Sequence, residues 1–377
     1  MTGLAFALLA VVPAEAEVAT PAVSPAPDAV AMRDRGVRFL TAAQLDDGSW
    51  NERESVGVTA LAVTALMRSG VPAESDAVSR GLAYLLQNRR DDGGIYGEGS
   101  IHRNYDTCLA MLALTAAGRT DLEDQIAFLK QLQWDQTEGI GLDNTAFGGA
   151  GYGSHERPDL SNTQFFIDAL HEAGLPEDDP AMQKALVFLS RAQNLDTPFN
   201  QTPLAPLVDD GGFLYTPAGE GESKAGRSAT GGLRSYGSMT YAGLKSLIYA
   251  GLDKSDVRVR AATDWLRSRY TMDENPGLDQ QGLFYYYHTL AKTMAALGQD
   301  RFVTADDVSH DWRADLVAAL AERQQGDGSW INPADRWMEG DPRLVTSYAL
   351  LALSYAMPVD ETPADETPAD ETPAATE

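Results

Sequence analysis

The chain is short of cysteine, of positive charge and of long apolar runs. A single cysteine, Cys108, excludes an internal disulfide and leaves the redox compartment unread. Lys and Arg number 29 against 55 Asp and Glu, a formal net charge of -26. Such a balance argues against nucleic acid and anionic membrane surfaces as partners, since both need a basic face. The apolar run GLAFALLAVV near the start is too short to span a bilayer, so no transmembrane segment is expected.

That run, followed by the small-x-small triplet Ala14-Glu15-Ala16, has the shape of a signal segment, although no Lys or Arg precedes it. Residues 1–30 are therefore expected to be a leader and a Pro/Ala linker. Export to a periplasmic or extracellular space is the expectation, with a cytoplasmic protein as the alternative. Residues 357–377 carry DETPADETPADETPA, a charged, proline-rich repeat that cannot bury enough apolar surface to fold. Between them, hydrophobic residues are plentiful enough for a large core, and 31–356 reads as one domain.

Within it a unit recurs six times, anchored on Thr59, Thr107, Thr163, Thr240, Thr289 and Thr346. Each anchor opens a stretch of small and apolar residues, as in VTALAVTALMRSG and DTCLAMLALTAAG. In the first four units a glycine follows eleven residues later, at Gly70, Gly118, Gly174 and Gly251; in the fifth, Gly298 follows after nine. Threonine suits a helix start and glycine a helix end. Apolar residues on all sides mean burial. Before each lies a more amphipathic helix, such as VSRGLAYLLQNR, and glycine-rich loops such as DDGSW, DDGGIYGEG, FGGAGYG and GDGSW join the two. Six outer–inner pairs close naturally into an all-α, α/α toroid, an (α/α)6 barrel.

The segment RGVRFLTAAQLDDGSW, with Leu40, Gln44, Gly48 and Trp50, resembles the QW motif of the terpenoid cyclase and protein prenyltransferase superfamily; LAERQQGDGSW, ending at Trp330, repeats its second half. The resemblance, squalene-hopene cyclase-like and spanning 31–356, implies one toroid and an isoprenoid as first-guess ligand. Relatives in shape include polysaccharide lyases, so a carbohydrate-active toroid stands as an alternative, as does a non-catalytic binding or interaction protein.

All glycine loops enter inner-helix N-termini, so they share one end of the barrel. Helix dipoles there favour anions. The longest loop, roughly Asn194 to Ser238, reads as a lid or binding loop. Arg103, Arg234 and Arg343, with Tyr105, Tyr236, Tyr241, Tyr286, Tyr287 and Trp337, are expected around a hydrophobic, anion-tolerant mouth. His155, Asn162 and Gln164 join them from GSHERPDLSNTQ, the densest polar cluster.

Asp106 and His288 are the catalytic candidates if the protein is an enzyme. The resemblance implies a cyclase acid in an Asp-x-Asp-Asp-Thr motif, but only Asp106 and Thr107 of NYDT match, and Tyr105 takes the place of the proton donor. It also implies a prenyltransferase-type zinc site, with Asp106, Cys108 and His288 as ligands from Asp106-Thr107-Cys108 and Tyr287-His288-Thr289. Those motifs open the second and fifth of six units, across the ring. A third reading makes Asp106 a cap of a buried helix and Cys108 a small core residue. No cofactor is the leading expectation and zinc the alternative; any protein partner is unknown.

Overall fold

The computed structural model describes residues 28–51, 56–153 and 157–357. Outer helices α1 (Ala29–Ala42), α3 (Asp76–Gln87), α5 (Glu123–Gln131), α7 (Pro180–Ala192), α9 (Val257–Arg267) and α11 (Trp312–Arg323) alternate with inner helices. The inner set is α2 (Val56–Arg68), α4 (Arg103–Ala116), α6 (Leu160–Glu172), α8 (Gly237–Tyr249), α10 (Leu283–Leu297) and α12 (Pro342–Ala356). In α3 only one stripe is buried, Ala77, Val78, Gly81, Tyr84 and Leu85, the spacing of a helix with one face on a core. In α2 every residue from Val56 to Leu66 is buried.

The inner helices pack in order, α2 on α4, α4 on α6, α6 on α8, α8 on α10, α10 on α12, and α12 back on α2. The ring therefore closes. Outer helices sit over the seams: α1 on α12 and α2, α3 on α2 and α4, α7 on α6 and α8, α11 on α10 and α12. A short antiparallel hairpin, β1 (Phe302–Val303) and β2 (Ser309–His310), lies on the return from α10 to α11.

A repeated staple holds four of the loops to their helices. Gln44 donates its amide to the carbonyls of Gly48 and Ala77, both at 2.9 Å; Gln133 does the same to Gly148 and Ala181, and Gln193 to Gly211 and Arg258. Gln324 closes the ring through Met32 and Gly328. Each glutamine thus ties its own loop to the next outer helix. The loop glycine permits this approach. Gly93 has φ +92°, and a Cβ there would lie 2.6 Å from the Asp124 carbonyl oxygen, so only glycine fits. Trp50 and Trp330 are fully buried and donate their indole N–H to Leu40 and Leu320.

The threonines do something other than cap their helices. Thr59, Thr107, Thr163, Thr240 and Thr346 lie inside the first turns, and their hydroxyls accept the loop N–H of Trp50, Ile95, Ala150, Phe213 and Trp330, at 3.0–3.1 Å. Thr163 also donates to the Asp159 carbonyl four residues back, at 2.7 Å. The hydroxyl is a double-ended pin between loop and helix.

The fifth unit departs from the expected six glycine loops. Between α9 and α10 the loop has no such glutamine, and Thr289 bonds only within its helix, to the Tyr286 carbonyl. Tyr286 and Tyr287 hold the loop instead, donating to the carbonyls of Thr271 and Met272. Counting eleven residues back from Gly298 lands on Tyr287. It is the true anchor of this unit, which explains the short spacing after Thr289.

Helix α1 starts at Ala29 with Asp28 as its cap, so the toroid begins inside the segment assigned to the leader and linker. The rest of that segment and the DETPA repeat lie outside the described residues. Among the described residues no helix is long and apolar enough to cross a membrane.

Candidate functional site

The inner-helix N-termini surround a cavity of about 270 Å³. Its wall is mostly aromatic: Tyr105 from α4, Phe165 from α6, Tyr285 from α10, Tyr348 from α12, and Tyr152, Tyr215, Tyr236 and Trp337 from the loops. The rings brace one another. Tyr105 meets Phe165 edge-on at 5.3 Å and Tyr285 meets Tyr348 edge-on at 5.9 Å, near the preferred geometry of aromatic pairs. The Tyr105 and Tyr348 hydroxyls are 3.4 Å apart. Burial pushes the phenols of Tyr105, Tyr285 and Tyr348 up, so all three stay neutral.

Trp337 and Met338 shape one side of the mouth from adjacent left-handed backbone positions, φ +60° and +66°. Side chains of this bulk rarely adopt that conformation, which marks the turn as strained. The turn brings the Trp337 ring over Gly282, where a Cβ would stand 3.1 Å from it.

Polar groups are few. Glu339 is the one carboxylate lining the cavity among the described residues. It accepts the backbone N–H of Tyr285 at 2.8 Å and the Asn332 amide at 2.6 Å, so it caps the start of α10. Burial raises its pKa, outweighing those bonds. Lys224 lines the cavity with its ammonium 4.3 Å above the Tyr215 ring and is paired with Glu222, which Arg157 also engages. Burial, then the charges of Arg157 and Arg336, lowers the Lys224 pKa. The Asp159 carboxylate acts on Lys224 in the opposite sense.

Asp106 caps a helix, and it is a neighbour's helix. Its two oxygens accept the Gly57 N–H of α2 at 3.0 Å and the Ser100 hydroxyl at 2.9 Å. It is buried and does not line the cavity, and desolvation pushes its pKa up to about 6. His288 lines a different, smaller cavity beneath the first, and the two candidates share no space. Burial drives the His288 pKa down to about 3, so its ring is neutral.

The zinc set does not assemble. Among the described residues no three His, Cys, Asp or Glu side chains could hold a metal together. Cys108 points its thiol at the Asn104 side chain at 3.6 Å, buried in the core, and α4 and α10 belong to different seams of the ring. The physical reason is the width of a six-helix barrel.

Of the residues expected at the mouth, the fold brings Tyr105, Tyr236 and Trp337 into the cavity wall. Arg103 instead donates to the Gly153 carbonyl, and Arg234 is exposed. Arg343 is half-buried near the start of α12, away from the lining. Asn162 bonds the Asp159 carboxylate, and Gln164 bonds Tyr285 and Lys245 within the barrel. Tyr241, Tyr286 and Tyr287 are core residues, with Tyr241 edge-on to Tyr286. His155 lies outside the described residues.

Phe165, Tyr348, Ser161 and Ser238 were missed, yet a signal for them exists. They lie two residues before or after the anchors Thr163, Thr240 and Thr346. Those offsets put the side chain on the helix face opposite the pin to the loop, toward the axis.

Residues 54–203 match the family model of the squalene-hopene cyclase C-terminal domain. A variant of the type II terpene cyclase MstE from Scytonema, without ligand, superposes with a TM-score of 0.52 at 15% identity, covering 87% of this chain and 96% of that one. A second MstE variant, in complex with geranylgeranyl dihydroxybenzoate as substrate, gives 0.52 at 15% identity over 87% and 97% of the two chains. The chain shares the helical toroid fold of these type II terpene cyclases. No curated protein matches the chain. In this terpenoid cyclase-like toroid the aromatic cavity occupies the inner-helix N-terminal end, with Glu339 and Lys224 on its wall.

Proposed function

We propose that the aromatic cavity binds an isoprenoid-type ligand, its chain among the tyrosines and an anionic end at Lys224. The observation that carries this is the wall itself: an aromatic surface with neutral phenols and one lysine, Lys224, among the described lining residues. Such concave, mostly apolar sites with few polar groups suit small hydrophobic ligands. The substrate carried by the Scytonema variant, a geranylgeranyl chain on a dihydroxybenzoate, is of the same two-part type and supports the reading.

The test is a titration followed by tryptophan fluorescence, since Trp337 lines the cavity. Geranylgeranyl diphosphate, geranylgeraniol and inorganic diphosphate are the probes. The diphosphate ester should bind tightest and the alcohol more weakly, and Lys224→Met should bring the two together. Equal, unsaturable responses to all three would end the proposal.

A second reading, cyclisation of the bound chain, is favoured by one observation: Glu339 reaches the cavity whereas Asp106 does not. Burial raises the Glu339 pKa, a shift toward the protonated form from which a carboxyl group can deliver a proton to an alkene. In that case Glu339→Gln, which can still accept the α10 N–H groups, removes any turnover and leaves binding in place. Turnover that survives Glu339→Gln and disappears in Asp106→Asn would reverse the assignment.

A further inference from the structure

Below the aromatic cavity the barrel holds a second feature that ligand binding at the mouth does not use. Lys245 of α8 and Lys292 of α10 both contact one oxygen of Asp168 of α6, at 2.6 and 3.0 Å. The three side chains are 1%, 4% and 1% exposed, so two ammonium groups share one carboxylate in the interior. At the edge, Glu172 is 3.4 Å from Lys292 and 3.5 Å from Arg68, and both Glu172 and Arg68 reach solvent. Three cations therefore stand against two carboxylates, one positive charge in excess. A buried charge without a counterpart costs several kcal/mol and is rarely left so.

Beside this cluster lies the small cavity, about 20 Å³, enough for one water-sized particle. Arg68, Lys292 and His288 line it, with leucines from α2, α4 and α12 and with Phe165 between it and the aromatic cavity above; no carboxylate does. His288 is 6% exposed, and its Nδ1 is buried with no hydrogen-bond partner among the described residues. Lys292 offers three N–H bonds, of which Asp168 takes one.

We infer that this floor cavity is a binding site for one small monovalent anion of chloride size, held by Lys292 and Arg68 with the neutral His288 ring on its wall. The anion balances the excess cation of the cluster. Water would leave that charge uncompensated, so an anion is preferred. The cations around the His288 ring, Lys292, Lys245 and Arg68, also oppose its protonation, the same positive field that draws an anion.

The test uses the full chain at fixed ionic strength and neutral pH, in chloride, bromide or gluconate. Chloride and bromide should raise the melting temperature saturably over gluconate. Crystals soaked in bromide should show an anomalous peak between His288 and Lys292. Arg68→Gln, a change at the solvent edge, should raise the half-saturating halide concentration severalfold while the protein stays folded. Lys292→Met is the stronger variant, with Arg68→Gln kept in case it fails to fold. Identical melting in halide and gluconate, or bromide peaks only on the outer surface, would show the site to be water-filled and overturn the inference.

Discussion

Replacing Gln193 by methionine tests the staple that holds the longest wall of the cavity. Gln193 is 1% exposed and donates to the Gly211 and Arg258 carbonyls, both at 2.9 Å. Methionine matches its length and shape but donates nothing. The Gly211 carbonyl loses its partner inside the protein, a loss of roughly 1–3 kcal/mol for a buried acceptor. The Arg258 carbonyl keeps its bond within α9 and loses only the second, roughly 0.5–1.5 kcal/mol. The Gln193 side-chain oxygen is itself buried and unpartnered, so its removal returns part of this. A net loss of about 2–3 kcal/mol is expected. The loop beyond Gln193 carries Tyr215, Lys224 and Tyr236 of the cavity wall, so affinity for geranylgeranyl diphosphate should fall with stability. Urea denaturation gives the first quantity and the fluorescence titration the second. A loss below about 0.5 kcal/mol would refute the staple, because two buried carbonyl bonds cannot vanish so cheaply. A full stability loss with unchanged affinity would refute the link between staple and wall.

Thr163→Val should cost about 1–3 kcal/mol in the same assay, because the buried Ala150 N–H loses its acceptor; a loss near zero would mean water replaces the hydroxyl. Phe165→Ala should join the two cavities and admit a longer or bulkier chain, at a cost of about 3–5 kcal/mol in stability. An unchanged ligand-length profile would show that Phe165 is no partition. Asp106 has a folded pKa near 6, above its unfolded value of 3.8, so the folded state holds the proton more tightly. Its effect on stability is absent below about pH 4 and grows as a loss up to about pH 6, roughly 3 kcal/mol in total. Asp106→Asn, which still accepts the Gly57 N–H, should therefore gain on the parent chain as pH rises from 4.5 to 7. A constant difference across that window would mean that Asp106 ionises without penalty.

The alternation of outer and inner helices was legible in the residues because burial writes itself into composition. A helix such as α2, with no polar stripe, has no place except the inside of a ring. The six anchors set the count, and the loops between the pairs set which end is the mouth. The shift in the fifth unit was legible too, through the distance from Tyr287 to Gly298. What the threonines and glutamines do was hidden, because their partners are backbone groups with no sequence signature.

The contents of the site were decided by the tertiary structure. Asp106 and Thr107 look like chemistry in one dimension, but Asp106 is spent on a neighbouring helix start that is 49 residues away in the chain. Asp106, Cys108 and His288 stand in motifs that only a narrower ring could bring together. Glu339 and Lys224 come from loops whose path no periodicity describes, and Asp168, Lys245 and Lys292 meet only because α6, α8 and α10 follow one another around the barrel. Local periodicity depends on each helix's own burial and can be read from its residues. Convergence at an axis depends on the rotation of every helix about its own axis, which only the closed ring determines.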